Sequence, residues 1–257
     1  MKILKSILFL CMVLALTSST DTKKGYGIVF AGDSITDGGW GGGNGIKVPT
    51  AKRNHTDMNH IYGHSYMMLC AARLSADNPE QGLLFYNRGI SSNTLALLED
   101  RWEEDVLALN PDIISILIGT NDVHFYLLSD KEEEFDYKDW ENRYRKLLDD
   151  ALAVNPDMIF ILGTPFTAPT GKVAEAEDFE ERVAMLEKLD EIISKIAEDY
   201  NAQLLRYDEL FESLYDKYPD VAPSFWIWDG IHPTPAGHQA MADAWLKKYN
   251  DLRPQEM

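Results

Sequence analysis

Short apolar runs rich in β-forming residues alternate with longer helical patterns along this chain, and that alternation restricts the fold more than any other feature. The first run begins at Gly27 and breaks at Gly32-Asp33-Ser34. Others lie at Leu83–Asn87, Asp112–Ile118, Met158–Leu162 and Gln203–Tyr207. Between them, helical periodicity is expected from about Ile61 to Ser75, near Thr94–Leu109, over Tyr137–Val154, around Phe179–Tyr200 and over Pro235–Tyr249. The last of these has Thr234 as an N-cap and proline in its first turn. Ala236, Ala240, Met241, Ala244 and Trp245 recur along it at helical spacing, a face expected to meet the sheet. Strand–helix alternation of this kind builds one parallel sheet with helices on both faces, the α/β class. With no internal repeat and no low-complexity linker, the 257 residues read as a leader at 1–20 followed by a single domain at 21–257.

The leader has its own signature. Lys2 and Lys5 precede an apolar run from Ile7 to Leu16, and Thr17-Ser18-Ser19-Thr20 follows. A positive flank, a short apolar core and small polar residues make a cleavable signal peptide, so a secreted or periplasmic protein is expected. The run is short for a membrane span. Cys11 lies inside it behind Phe9 and Leu10, not behind the small residues a lipid-anchoring cysteine needs. With the leader gone only Cys70 remains, which excludes an intramolecular disulfide. Cys70 falls in an apolar helical pattern, Tyr66 to Ala72, and reads as a small buried hydrophobe. A formal charge of −18 opposes binding to nucleic acid or to anionic membranes.

Chemistry concentrates where apolar runs end, because open α/β sheets place their ligands at the carboxyl ends of their strands. Ser34 stands at the end of the first run. A serine hydroxyl needs an adjacent base, and His232 is the strongest candidate, in a turn rich in Gly and Pro just before the last helix. Asp229, three residues earlier, is placed to fix its tautomer. His238 competes, but its place inside the final helix reads as surface. Acyl chemistry also needs donors aimed at a developing oxyanion. Gly89 offers a backbone N–H after the second run, Asn121 a side-chain amide after the third, and Ser34 its own N–H.

Other clusters read as structural. The stretch Thr36–Asn59, with glycines from Gly38 to Gly45, is long for a connection in a compact domain. It leaves the strand end that carries Ser34 and is expected to form pocket wall. Neither a Gly-Lys-Ser/Thr ending nor dinucleotide spacing is present, so no nucleotide cofactor is expected. His55, His60 and His64 lie close together, with His60 and His64 four apart. No glutamate follows in the metalloprotease pattern, and no metal is expected.

The four blocks Gly-Asp-Ser-Ile-Thr, Asn-Arg-Gly, Gly-Thr-Asn-Asp and Asp-Gly-Ile-His-Pro-Thr span Gly32 to Thr234. In that order they resemble the SGNH (GDSL) hydrolase superfamily. The resemblance implies a three-layer α/β/α sandwich, flavodoxin-like, with a five-stranded parallel sheet in the order 2-1-3-4-5. It implies Ser34 as nucleophile, His232 as base and Asp229 as its orienting carboxylate, with Ser34, Gly89 and Asn121 forming the oxyanion hole and no cofactor. The chain has Ile35 where the family name has leucine, a volume-conserving exchange. It also has serine where the second block often carries another glycine.

Members of this superfamily act on lipid, thiol, aryl and carbohydrate esters, so the fold does not choose a substrate. Export, the absence of a long apolar segment near the site, and Trp40, Trp226 and Trp228 around the first and last blocks favour carbohydrate. The expected activity is hydrolysis of short-chain, acetyl esters on a small or polymeric carbohydrate. A lipid or aryl ester hydrolase is the alternative. An acyltransferase or a carbohydrate-binding protein on the same scaffold stands behind it.

Overall fold

The computed structural model describes residues 25–41, 49–53, 55, 56, 58 and 60–252. The expected signal peptide, and residues 42–48 of the long loop, lie outside the described residues. Five strands, β1 (Gly27–Gly32), β2 (Leu84–Gly89), β3 (Ile113–Leu117), β4 (Ile159–Gly163) and β5 (Gln203–Leu205), form one sheet. All pairings are parallel and the order is β2-β1-β3-β4-β5. The expected three-layer α/β/α architecture is observed.

Parity along the strands divides the core, because successive side chains point to opposite faces. Val29, Ala31, Ile114, Ile116, Phe160 and Leu162 face one helical layer. It is made of α3 (Leu95–Glu99), α4 (Trp102–Asp105), α5 (Thr120–Leu127), α6 (Tyr137–Val154) and α8 (Phe179–Asp199). Ile28, Phe30, Ile113, Leu117 and Ile161 face the other. That layer contains α2 (Tyr66–Asp77), α9 (Tyr207–Lys217) and α10 (Pro235–Leu252). Two short helices, α1 (Ser34–Asp37) and α7 (Gly171–Ala174), sit in the connections after β1 and β4. Every residue of β1 is buried, as a central parallel strand requires. The one polar side chain of β3, Ser115, meets its need by accepting from Trp245 Nε1 of α10 at 3.0 Å.

Local signals set several helix ends. Asp136 caps α6 by accepting from Asp139 N at 2.8 Å, and Trp140, Tyr144, Leu147, Leu148 and Ala151 form its buried stripe. Thr234 Oγ1 accepts from Gly237 N at the start of α10, whose buried face is Met241, Ala242, Trp245 and Tyr249. The expected helix over Thr94–Leu109 is instead three short pieces: α3, α4 and a 3₁₀ turn at Leu107–Leu109. Tertiary bonds explain the break. Arg101, at the junction, turns its guanidinium to Asn93 Oδ1, Asp105 Oδ2 and Gly32 O at the end of β1. Cys70 is buried in α2, as expected. The second strand runs two residues past Asn87, to Gly89.

Candidate active site

At the carboxyl end of β1 the chain turns directly into α1, and Ser34 is the first residue of that turn. Asp33 makes this possible. Its carboxylate accepts from Ile35 N at 2.9 Å and caps the helix start, while the carbonyl of Asp33 accepts from Asp37 N at 2.8 Å. The Ser34 N–H, one of the unpaired donors of a helix start, has no acceptor among the described residues.

The His232 ring reaches Ser34 from the far end of the sequence. Ser34 Oγ and His232 Nε2 are 2.8 Å apart, and His232 Nδ1 lies 2.7 Å from Asp229 Oδ2. The other Asp229 oxygen accepts from His232 N at 2.7 Å and from Ile231 N at 3.0 Å. With Nδ1–H donated to Asp229, Nε2 is left to accept the serine proton, the tautomer a general base needs. The turn itself is clamped. Trp228 N donates to His232 O, Thr234 N donates to Trp226 O, and Ile227 pairs with Pro233. Gly230, at φ +93°, directs its carbonyl to both Ala168 N and Thr167 Oγ1 at 2.9 Å.

Electrostatics follow from these bonds. The hydrogen bond to Asp229 raises the His232 pKa above the ordinary 6.5, against the opposing effect of burial. Burial pushes the Asp229 carboxyl up, but bonds from the His232 ring, His232 N and Ile231 N outweigh it and hold the group below its usual value. Asp33, fully buried, is pushed up to about 7 by desolvation. His238 is not a surface residue. Its Nδ1 accepts from Tyr66 N at the start of α2, and burial followed by the nearby His232 lowers its pKa to about 4.

Accounting for the N–H groups after β2 changes one expectation. Gly89 N donates to Asn87 Oδ1 at 2.9 Å, so the N–H expected to meet an oxyanion is already engaged. Glycine stands at 89 for a different reason. A Cβ there would lie 2.3 Å from Asp37 N and 2.7 Å from Thr36 C, so β2 packs on α1 only without a side chain. Ile90 N donates to Gly32 O, Ser91 N to Asp37 Oδ2 and Asn93 N to Ile90 O. Ser92, like Thr94 at the start of α3, keeps an N–H with no acceptor among the described residues. Ser92 holds the left-handed conformation at φ +63°, uncommon for a residue with a side chain. A serine in a position that favours glycine was the signal available in the sequence.

Asn121 lies in the first turn of α5 and is buried. Its Nδ2 is 3.1 Å from Asn93 O and 3.3 Å from Asp33 Oδ2, so all three strand ends converge on one amide. Asp122, next along, accepts from Leu95 N with both oxygens and from Trp140 Nε1, tying α5 to α3 and α6.

The tryptophans separate. Trp228 is 60% exposed beside Asp229. Trp226 is half-buried against Tyr218 and edge-on to Phe225. Trp40 stacks under the Arg53 guanidinium, 4.7 Å away, and Arg53 in turn pairs with the buried Asp37 carboxylate. His60 and His64 are exposed with rings 6.2 Å apart, and among the described residues no group of three or more His, Cys, Asp or Glu is assembled to hold a metal.

Comparison with known proteins agrees with this geometry. The model of the GDSL-like lipase/acylhydrolase family matches residues 30–240. An acetylxylan esterase of Geobacillus stearothermophilus is 31% identical over 232 residues, covering 88% of this chain and 94% of that protein. A solved structure of that enzyme superposes with a TM-score of 0.70, covering 87% of this chain and 94% of the other at 30% identity. A structure from Parabacteroides merdae described as GDSL-like lipase covers 89% and 97% at a TM-score of 0.72 and 30% identity. A hydroxyl, an imidazole and a carboxylate in one line, at the end of a 2-1-3-4-5 sheet, thus sit where the family match is continuous, and the chain belongs to the GDSL-like lipase/acylhydrolase family of carboxylic ester hydrolases.

Proposed function

We propose that the protein removes acetyl groups from carbohydrate, with acetylated xylan or its oligosaccharides as the leading substrate. The observation that carries the mechanism is the Ser34–His232–Asp229 line, with links of 2.8 and 2.7 Å. Support for the substrate comes from the acetylxylan esterase that matches 88% of this chain and 94% of its own length. The solved forms of that relative include catalytic mutants of a serine, an aspartate and a histidine, the last two spaced like Asp229 and His232.

In this scheme His232 Nε2 takes the Ser34 proton as Oγ attacks the ester carbonyl. Negative charge gathers on the carbonyl oxygen, where preorganised donors lower the barrier most. Those donors are the N–H groups of Ser34 and Ser92 and the Asn121 amide, whose 3.3 Å contact with Asp33 is long enough to be shared. His232 then gives the serine proton to the departing sugar oxygen as the C–O bond breaks, releasing the sugar hydroxyl and leaving acetyl on Ser34. Water, deprotonated by the same ring, releases acetate from Ser34. Asp229 holds the tautomer throughout and stabilises the transient imidazolium. Trp228 is the exposed ring best placed to stack on a sugar face. Export through the expected signal peptide would bring the enzyme to polymeric substrate.

The test is kcat/KM for acetyl against octanoyl p-nitrophenyl esters, followed by acetate release from acetylated xylan, with Ser34→Ala as blank. An acetyl preference with acetate release supports the reading. An octanoyl preference would move it to lipid esters, and acyl transfer to an added alcohol in place of hydrolysis would make the protein a transferase.

A further inference from the structure

We propose that the cleft between α8, α9 and the Pro165–Pro169 segment is a second ligand site that binds a small organic cation, an amine carried on an apolar body. The cleft measures about 330 Å³ and contains neither Ser34 nor His232. Its walls are apolar, with Phe166, Phe179, Leu186 and Phe211 contributing side chains. That volume is at the small end for ligand pockets and suits on the order of ten non-hydrogen atoms.

The polar groups specify the charge. Asp190, only 5% exposed, lines the cleft with an Oδ1 that meets no N–H or O–H donor other than the neighbouring Asp208 carboxyl. Tyr215 lines it as well, and its buried hydroxyl is unpartnered. Buried polar atoms are ordinarily satisfied, and these two belong to side chains that line an open space. Beside Asp190 lies Asp208, whose Oδ1 is 2.7 Å from Thr164 Oγ1. Burial, the Asp208 charge and a hydrogen bond with Asp208 push Asp190 up to about 9.

Neighbouring charges keep the cleft negative. Arg206 approaches Asp208 Oδ2 only at 4.0 Å and is engaged by Glu209 at 3.2 Å, while Glu187 and Glu212 add negative charge to the lining. An anion is disfavoured here. A purely apolar ligand would leave the Asp190 oxygen with no donor beyond Asp208 and the Tyr215 hydroxyl orphaned. An ammonium group on an apolar body satisfies both the oxygen and the walls. The site is also wired to the catalytic turn, since Thr167 of its rim donates to Gly230 O, next to Asp229.

The experiment is calorimetric titration of the full mature enzyme with n-hexylammonium chloride, with n-hexanol as the uncharged counterpart, and p-nitrophenyl acetate hydrolysis read on the same samples. Saturable binding of the amine, at least tenfold tighter than the alcohol, is expected. The double variant Asp190→Asn with Asp208→Asn keeps the shape of the pair, removes its charge and should weaken amine binding at least tenfold. Should that variant not fold, Val183→Trp fills the rim with the pair intact and should also remove binding. Esterase activity should stay within about threefold of wild type in both variants. The proposal is overturned by absence of saturable amine binding at millimolar concentrations. Equal affinity for hexanol, unchanged binding in Val183→Trp, or amine inhibition purely competitive with the ester would overturn it too. These readouts do not depend on which ester the enzyme cleaves.

Discussion

Asp33 and Asn121 are joined across the end of the sheet: the carboxylate that caps α1 through Ile35 N lies, by its other oxygen, 3.3 Å from Asn121 Nδ2. The residue that shapes the turn around the serine therefore also aims the amide. Asp33→Asn should separate the two tasks, since the amide oxygen can still cap α1 while its NH2 faces another NH2. The expected result is kcat reduced by about ten- to a hundredfold with KM little changed, in line with loss of one oxyanion contact. Unchanged kcat would show that Asn121 is oriented by Asn93 alone.

The pH profile should carry the mark of the His232–Asp229 bond. Catalysis needs the neutral ring, and the bond raises its pKa, so kcat/KM should fall on acidification with a midpoint above 6.5. Stability runs the other way. A raised folded-state pKa contributes fully below the unfolded value and is lost as pH climbs through the folded one, so this increment fades where activity is greatest. Asp229→Asn should lower the midpoint as well as the rate. A profile unchanged in that variant would remove Asp229 from the mechanism.

Gly89 and Ser92 can be told apart by substitution. Gly89→Ala forces a Cβ onto the α1 backbone and should destabilise by about 1–3 kcal/mol. Ser92→Gly relieves a left-handed serine at φ +63° and should retain activity within about threefold, with stability raised by up to ~1 kcal/mol. Thermal melts and kcat on p-nitrophenyl acetate read both. A fully stable Gly89→Ala would refute the packing role given to that glycine.

Trp228→Ala should raise KM for acetylated xylo-oligosaccharides several-fold and leave p-nitrophenyl acetate kinetics alone, because the ring is exposed and bonds to no catalytic group. Trp226→Ala should instead lower the melting temperature through its packing with Tyr218 and Phe225. Equal losses on both substrates in Trp228→Ala would count against stacking.

The features that sequence revealed and those it hid divide on physical lines. The sheet was legible because β1, β3 and β4 are dense apolar runs, and α6 because its stripe and cap are local. Asp229 and His232 were legible because their bond closes within one turn. By contrast α5 is only eight residues, Thr120–Leu127, and was not among the expected helices. The α9 helix went unread although Tyr207, Leu210, Phe211, Leu214 and Tyr215 recur along it at helical spacing against the core. His238 looked exposed because its partner, Tyr66 N, is far away in sequence. Gly89 drew the oxyanion role because glycine is the obvious source of an unhindered N–H. Its engagement by Asn87, and the left-handed turn at Ser92, are three-dimensional facts.

Strand pairing has one more consequence. Gly32, one residue before the Asp33–Ser34 turn, pairs with Gly89 on one side and Leu117 on the other, so serine, Ser92 and Asn121 are spaced by the alignment of three neighbouring strands. A two-residue slip between any two of them would preserve which side chains face the core, yet displace one group by about 6–7 Å. Such a misfolded chain could be dense, helical and protease-resistant while hydrolysing nothing. Turnover is thus a ruler laid across the sheet: it measures alignment that spectroscopic helix content cannot see, and a refolded preparation is best graded by its rate per molecule.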